Sequence, residues 1–260
     1  MHGCPQGRCD GSGWLLDEEA NVARPCSCRA ERVATARALS LQHEIPPRYR
    51  GLAVDRAPVT EIMASMDPTE RVRVRDFCMR PERYLDSGEG IWFLGPRGTG
   101  KTSLAMLISQ CVLRAHRTVA IYTAPQLLTE IRSTYEQGSP NSYAQLMRRL
   151  RAVDLLHLED LAVAKTTDWV LEQFYTVVND RYQDRRSIVF TADVTQPSDL
   201  GDHVGHRTFS RLMEICGDQI HMFGDDFRIE RLNRRAATPE LLDALPPDAP
   251  ARPEPLYRRR

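Results

Sequence analysis

The sequence has no excess of charge of either sign, since 35 lysines and arginines balance 35 aspartates and glutamates over 260 residues. This balance excludes a uniformly basic nucleic-acid coat and an acidic tail protein, so any contact with a polyanion must come from local clusters of charge. Long hydrophobic runs are also missing. Even residues 91–94 form only a short apolar run, which excludes a membrane span. The first five residues lack the charged lead and apolar stretch of a secretory signal, so we expect a cytoplasmic protein with no membrane partner.

Lysine is scarce as well. Only Lys101 and Lys165 occur among the 35 basic residues, and the others are arginine, so a lysine inside a motif is informative. Apolar residues make up 42% of the chain and charged residues 27%, which is ordinary for soluble proteins and sufficient to bury a core. A chain of this length can form one large domain, or one core domain with small appendages.

The seven cysteines raise the question of a metal site before that of a disulfide, because cytoplasmic thiols are kept reduced. Three stand alone in the sequence and are expected to pack in the core: Cys78, Cys111 and Cys216. The other four flank a turn at residues 11–14: Cys4, Cys9, Cys26 and Cys28. Four thiolates suit tetrahedral Zn²⁺, and so small a module has no other source of stability. Their spacing departs from the common CxxC pairs, so the alternative is a loose, reduced tail.

The chain divides into four predicted segments: a zinc-binding cysteine module at 1–40, a linker at 41–67, an α/β domain at 68–233 and a flexible tail at 234–260. Adjacent prolines, Pro46 and Pro47, favour an extended linker. In the third segment short apolar runs alternate with stretches of helical spacing, which predicts a parallel sheet covered by helices on both faces. The five runs are residues 91–94, 118–122, 154–158, 187–191 and 219–223.

A phosphate-binding loop follows the first predicted strand and opens a helix, which is the context that the GxxxxGK[ST] signature requires. It consists of Gly95, Pro96, Arg97, Gly98, Thr99, Gly100, Lys101 and Thr102, with Ser103 next. The glycines let backbone N–H groups converge on phosphate oxygens, and the helix adds the positive end of its dipole. Lys101 is expected to bridge the β and γ phosphates of ATP, and the hydroxyl of Thr102 to ligate Mg²⁺.

Two carboxylates end the third predicted strand, at Glu159 and Asp160. We expect Glu159 to hold the magnesium shell and Asp160 to act as general base toward the attacking water. The alternative is a pair of surface acids in a turn. In ATPases with a phosphate loop of this kind, the usual order of the two acids is Asp-Glu or Asp-Asp. The inverted order here predicts slow ATP hydrolysis.

These motifs resemble the DnaC/DnaI-type replicative helicase loaders of the AAA+ ATPases, with the IstB transposition helpers as close relatives. The resemblance runs from about residue 45 to residue 228 and includes Ile45-Pro46-Pro47-Arg48-Tyr49, the phosphate loop, the acidic strand and Ser210-Arg211-Leu212. It implies a five-stranded parallel sheet of order 5-1-4-3-2 without a separate lid domain. It also implies a DnaB-type replicative helicase and single-stranded DNA as partners.

The resemblance assigns further residues to the nucleotide site. The family typically has Asn at the γ-phosphate sensor position, where this chain has Asp193, so Thr191 is an alternative sensor. Arg211 matches the arginine finger that reaches the ATP of a neighbouring subunit and so implies self-assembly, with Arg207 as the fallback. Arg228 resembles the arginine that closes the site within its own subunit.

Positive charge for DNA is predicted around Arg148, Arg149 and Arg151, within an acid-free stretch. An ordinary exposed amphipathic helix is the alternative. Three other functions stay open: a transposase helper that binds duplex DNA, an adaptor that binds ATP but hydrolyses it poorly, and, least favoured, a small-molecule kinase.

Overall fold

The computed structural model describes residues 4, 7–9, 14–17, 22–29, 45–136, 142–163, 165–194, 196–224 and 226–227. The chain forms two compact units, Met1–Gly224 and Asp225–Arg260. Of the second unit only residues 226 and 227 are described, so the predicted tail and Arg228 lie outside the described residues. Among the described helices, none has the length and apolarity needed to cross a membrane.

Among the described residues, seven strands form two sheets: β1 (Trp14–Asp17), β2 (Val22–Pro25), β3 (Ile91–Leu94), β4 (Val119–Thr123), β5 (Leu155–Glu159), β6 (Ser187–Ala192) and β7 (Ile220–His221). β1 and β2 form an antiparallel hairpin in the cysteine module. The other five form a parallel sheet of order β4-β5-β6-β3-β7. Numbered within that sheet and counted from the opposite edge, this is 5-1-4-3-2, and the predicted order is confirmed.

The described part of the chain contains nine α-helices besides these strands: α1 (Val59–Ala64), α2 (Pro68–Met79), α3 (Pro81–Ser87), α4 (Lys101–Arg114), α5 (Ala124–Ser133), α6 (Tyr143–Ala152), α7 (Asp168–Gln183), α8 (Pro197–Val204) and α9 (His206–Cys216). Short 3₁₀ helices lie at Pro47–Tyr49 and Leu161–Val163. α5 and α6 begin with capping boxes, Thr123 with Gln126 and Ser142 with Gln145, in which each pair satisfies two free backbone N–H groups.

The central strands β3, β5 and β6 are buried along their whole length, as expected for a parallel sheet between two helical layers. Trp92 of β3 stacks on Phe190 of β6 with ring centroids 5.0 Å apart. Parallel pairing brings the carboxyl ends of these strands to one edge, where Thr123 is opposite Glu159 and Phe93 is opposite Thr191. This edge is where ligands bind in open α/β sheets.

The buried Arg181 connects α6 to the sheet through hydrogen bonds. Arg181 of α7 is fully buried, and its guanidinium donates to the carbonyls of Leu150 (2.7 Å), Val153 (3.0 Å), Asp154 (2.9 Å) and Ser187 (2.7 Å). Burial lowers the pKa of Arg181 to about 9. The carbonyls lie at the end of α6 and at the starts of β5 and β6, so one side chain holds three elements together.

The segment predicted as an extended linker is packed where the structure describes it, from residue 45 to residue 67. Ile45 and Leu52 are buried, and so are three residues of α1, including Ile62. A Cβ on Gly100 of the phosphate loop would lie only 2.8 Å from carbons of Ile62. Pro47 starts a 3₁₀ turn, which its fixed φ allows, and the apolar residues that follow bury themselves near the phosphate loop. The prolines therefore do not keep the whole segment extended.

Candidate nucleotide-binding site

The phosphate loop connects β3 to α4 with a backbone that only glycine adopts easily. Gly95, Gly98 and Gly100 have φ values of 139°, 84° and 97°. A Cβ at Gly95 would lie 2.2 Å from the carbonyl oxygen of Met222, so a side chain there would collide with the backbone that follows β7. Thr99 is fully buried and donates to the carbonyl of Pro96 (2.9 Å), which holds the loop closed on itself.

The ammonium of Lys101 makes three contacts. It donates to the carbonyls of Gly95 and Pro96, both at 2.7 Å, and pairs with Asp193 Oδ1 at 2.7 Å, while the residue is only 5% exposed. The other carboxylate oxygen of Asp193 accepts from Nε of the exposed Arg97 at 3.0 Å. Three contacts use all three protons of an ammonium. A phosphate group can therefore bind Lys101 only by displacing one of these partners.

Glu159, at the end of β5, receives three hydrogen bonds. Its Oε2 accepts from the hydroxyls of Thr102 (2.7 Å) and Thr191 (3.0 Å), and its Oε1 is 2.5 Å from His157 Nε2. Burial raises the pKa of Glu159, but the hydrogen bonds from His157, Thr102 and Thr191 outweigh burial and hold the pKa below its ordinary value. Thr102 and Glu159, the two predicted magnesium ligands, therefore lie in contact, with the carboxylate ionised. An oxygen pair of this kind fits Mg²⁺.

Asp160 follows in a strained backbone conformation, with φ of 57°, a region that non-glycine residues rarely adopt. Its N–H donates to the Thr191 hydroxyl (3.0 Å), so Thr191 bonds both to this backbone and to Glu159. Burial raises the pKa of the Asp160 carboxyl, and the charges of Glu159 and Asp193 raise it further. A carboxylate with a raised pKa accepts a proton more readily, which suits the predicted role of general base.

Sequence reasoning missed two residues of this site. His157 and Ser109 are both fully buried, and Ser109 Oγ lies 2.8 Å from His157 Nδ1. The one signal in the sequence is a histidine inside an otherwise apolar strand, Leu155-Leu156-His157-Leu158. Ser109 lies in the middle of α4, and nothing local indicates that it faces β5.

Arg211 lies on α9 with its guanidinium over two rings of α7, at 4.6 Å from the centroid of Tyr175 and 5.6 Å from that of Tyr182. The residue is half-buried, and one terminal nitrogen, Nη1, is buried without a hydrogen-bond partner among the described residues. Arg207, the fallback, is exposed. The arginine-finger role of Arg211 stays a prediction, as does the role of Arg228.

The four N-terminal cysteines lie together beside the β1–β2 hairpin, and their sulfur atoms are all within 4.8 Å of one another. The sulfurs of Cys4 and Cys26 are 4.0 Å apart and those of Cys9 and Cys28 are 3.6 Å apart. Four sulfurs around a zinc ion at about 2.3 Å would be about 3.8 Å apart, so the cluster fits tetrahedral Zn²⁺. When bound, zinc would supply folding free energy to this small module.

On α6, two of the three arginines predicted to contact DNA are already paired. Arg149 pairs with Glu130, and Arg151 pairs with Asp184, with Nη2 to Oδ1 at 2.7 Å. Arg148 is exposed, and among the described residues it has no ion pair. The charge that this helix offers to a phosphate backbone is therefore smaller than the sequence suggests.

The sheet order and the loop at its carboxyl edge define the AAA+ phosphate-loop fold of ATP-binding proteins. Residues 73–212, more than half of the chain, match the family model of the IstB-like ATP binding proteins, and the protein belongs to that family. The predicted family resemblance and fold class are thereby confirmed.

Two curated relatives come from mobile elements. The phage-like element PBSX protein XkdC of Bacillus subtilis is 26% identical over 226 residues, which cover 82% of this chain and 80% of that protein. The putative insertion sequence ATP-binding protein y4pL of Sinorhizobium fredii is 28% identical over 111 residues, covering 43% of this chain and 44% of its own.

Solved structures agree on the fold. The DnaC helicase loader matches with a TM-score of 0.56 and 17% identity, over 68% of this chain and 100% of the loader chain. The replication initiator DnaA bound to AMPPCP and single-stranded DNA matches with a TM-score of 0.57 and 19% identity, over 76% of this chain and 59% of the initiator. At these identities the likeness establishes the fold alone.

Proposed function

We propose that this protein is an ATP-hydrolysing helicase loader, which binds a DnaB-type replicative helicase and places it on single-stranded DNA. The observation that carries the ATPase part is the contact between Thr102 and Glu159 beside the buried ammonium of Lys101. The loader part is supported by the likeness of the fold to a whole helicase-loader chain and by the cysteine module ahead of the ATPase domain.

In the proposed reaction each side chain has one task. Mg²⁺, when bound, would neutralise charge on the phosphate oxygens. Thr102 Oγ1 and Glu159 Oε2 would hold it, Lys101 would bind the β and γ phosphates, and Asp160 would accept the proton of the attacking water. Thr191 positions Glu159 and Asp160, because its hydroxyl contacts both the Glu159 carboxylate and the Asp160 N–H.

The test of the ATPase assignment is Lys101→Ala, which should abolish nucleotide binding or hydrolysis, because the backbone amides alone cannot neutralise the phosphates. The matched control is Lys165→Ala, since Lys165 is the other lysine of the chain and is exposed. Unchanged affinity and turnover in Lys101→Ala would overturn the site. Glu159→Gln should keep ATP binding and lose hydrolysis.

The cysteine module is proposed as the helicase-docking element, folded by Zn²⁺ on Cys4, Cys9, Cys26 and Cys28. Replacing Cys26 and Cys28 by serine should remove zinc and helicase capture while nucleotide binding survives. Cys78→Ser is the control, because Cys78 lies outside the cluster. Full helicase capture with lost DNA binding would assign the module to DNA instead.

Single-stranded DNA contact through α6 is proposed to depend on assembly. Each subunit offers Arg148 for contact with a DNA phosphate, because Arg149 and Arg151 are neutralised by acids. One such phosphate contact changes the slope of DNA affinity against salt concentration by only about 0.7. Several subunits in a row would add such contacts. Arg148→Ala should therefore weaken DNA binding under assembling conditions, and equal binding would remove α6 from the DNA site.

A transposase helper is the second candidate, favoured by the family match and the insertion-sequence relative. The two functions separate in one experiment, in which the protein is offered a DnaB-type helicase, single-stranded DNA and duplex DNA. ATP-dependent binding to duplex DNA without helicase capture would favour the transposase helper.

A further inference from the structure

The buried histidine of β5 has more contacts than packing requires. His157 is fully buried beside Leu156 and Leu158, where an apolar residue could occupy the same position. Instead both ring nitrogens are bonded, Nδ1 to Ser109 Oγ at 2.8 Å and Nε2 to Glu159 Oε1 at 2.5 Å. The side chain therefore links the middle of α4 to the proposed magnesium site.

The direction of these bonds follows from the groups involved. An ionised carboxylate only accepts hydrogen bonds, so Nε2 must carry the proton that it donates to Glu159. Nδ1 is bonded to the Ser109 hydroxyl, and this second bond fixes the orientation of the ring so that Nε2 faces the carboxylate.

A glutamate such as Glu159 benefits from such a restraint, because its side chain has one more rotatable bond than that of an aspartate. The carboxylate is held at both ends, since Oε1 is bonded to His157 while Oε2 faces Thr102 and Thr191. If the bond to Oε1 were lost, the carboxylate could rotate and Oε2 would leave the position beside Thr102.

We propose that His157 is a positioning residue that orients Glu159 for Mg²⁺, with Ser109 fixing the orientation of its ring. This inference rests on the proposed ATPase function. It accounts for a polar pair in the interior that the predicted reaction does not otherwise use.

The test compares two replacements of His157. His157→Phe fills the volume without a donor, whereas the amide Nε2 of His157→Gln can still donate to Oε1. The probe is Mn²⁺, titrated by electron paramagnetic resonance in the presence of ATP, and ATP binding is measured separately in EDTA. We expect the Phe variant to bind ATP normally in EDTA but to lose about 10-fold in Mn²⁺ affinity, as for other residues that orient metal ligands. The Gln variant should recover most of the loss.

Ser109→Ala provides a second route if His157→Phe does not fold, because it removes a single buried hydroxyl. It should lower Mn²⁺ affinity in the same direction by a smaller factor. Wild-type Mn²⁺ affinity in a folded Phe or Ala variant would overturn the role of His157, and so would an equal loss in the Phe and Gln variants. Failure of the wild-type protein itself to bind Mn²⁺ with ATP would instead overturn the proposed function.

Discussion

Asp193 competes with the nucleotide for Lys101, and replacing it by asparagine should tighten ATP binding. In the structure its carboxylate takes the third contact of the ammonium, at 2.7 Å. Lys101 and Asp193 expose only 6% and 17% of their side chains, so solvent screens this pair weakly. The side chain of Arg97, which pairs with the same carboxylate, is 76% exposed, so this ion pair should add little to the stability of the Asp193 position.

The expected gain in ATP affinity follows from the bond between Lys101 and Asp193, which must break when a phosphate displaces the carboxylate. A hydrogen bond between charged groups contributes about 1.5–3 kcal/mol, and every 1.4 kcal/mol changes affinity about tenfold. An asparagine amide oxygen still accepts a weaker bond from Lys101, so the gain should lie at the lower end, about 10-fold. The carboxylate also repels the terminal phosphate, so the gain should be larger for ATP than for ADP.

The assay is equilibrium binding of fluorescent ATP and ADP analogues to Asp193→Asn in the presence of Mg²⁺. Asp202→Asn is the matched control, because it removes the same charge from an exposed position on α8. Unchanged affinity would refute the competition. Weaker ATP binding would mean that Asp193 serves to hold Lys101 in place.

Three further perturbations test the fold and the assembly. Arg181→Met leaves four carbonyls, two buried and two partly buried, without this donor and should lower the free energy of unfolding in urea by roughly 3 kcal/mol, with Arg181→Lys less affected. Burial raises the pKa of Asp154, but the hydrogen bond from Arg117 and other contacts outweigh it and hold the pKa below its ordinary 3.8. The ionised Asp154 carboxylate therefore stabilises the folded protein above that pH, and this stabilisation is lost as the pH falls below it. Acid unfolding of Asp154→Asn should accordingly depend less on pH than that of the wild type. Arg211→Ala should bind ATP but hydrolyse it slowly. Mixing it with Lys101→Ala protein should restore ATP hydrolysis under assembling conditions. If mixing restores no hydrolysis, Arg211 is not an arginine finger that acts between subunits.

The sequence alone was sufficient for the features that depend on local spacing. The phosphate loop and the acidic end of β5 each combine residue types whose chemistry is set by neighbours a few positions away, and the four cysteines of the cluster all fall within residues 4–28. The alternation of short apolar runs with helical stretches predicted the parallel sheet, and the family resemblance supplied its strand order. These inferences hold because strand, loop and helix follow one another directly along the chain.

Only the tertiary structure decided which distant side chains meet. Asp193 pairs with Lys101 and His157 bonds to Ser109 because parallel strands and α4 bring together residues 92 and 48 positions apart. Local patterning predicted Arg148 to Arg151 as a basic surface, yet Glu130 and Asp184, from the neighbouring α5 and the end of α7, neutralise two of its arginines. The physical reason is that hydrogen bonds and ion pairs depend on separation in space, whereas a sequence pattern reports separation along the chain.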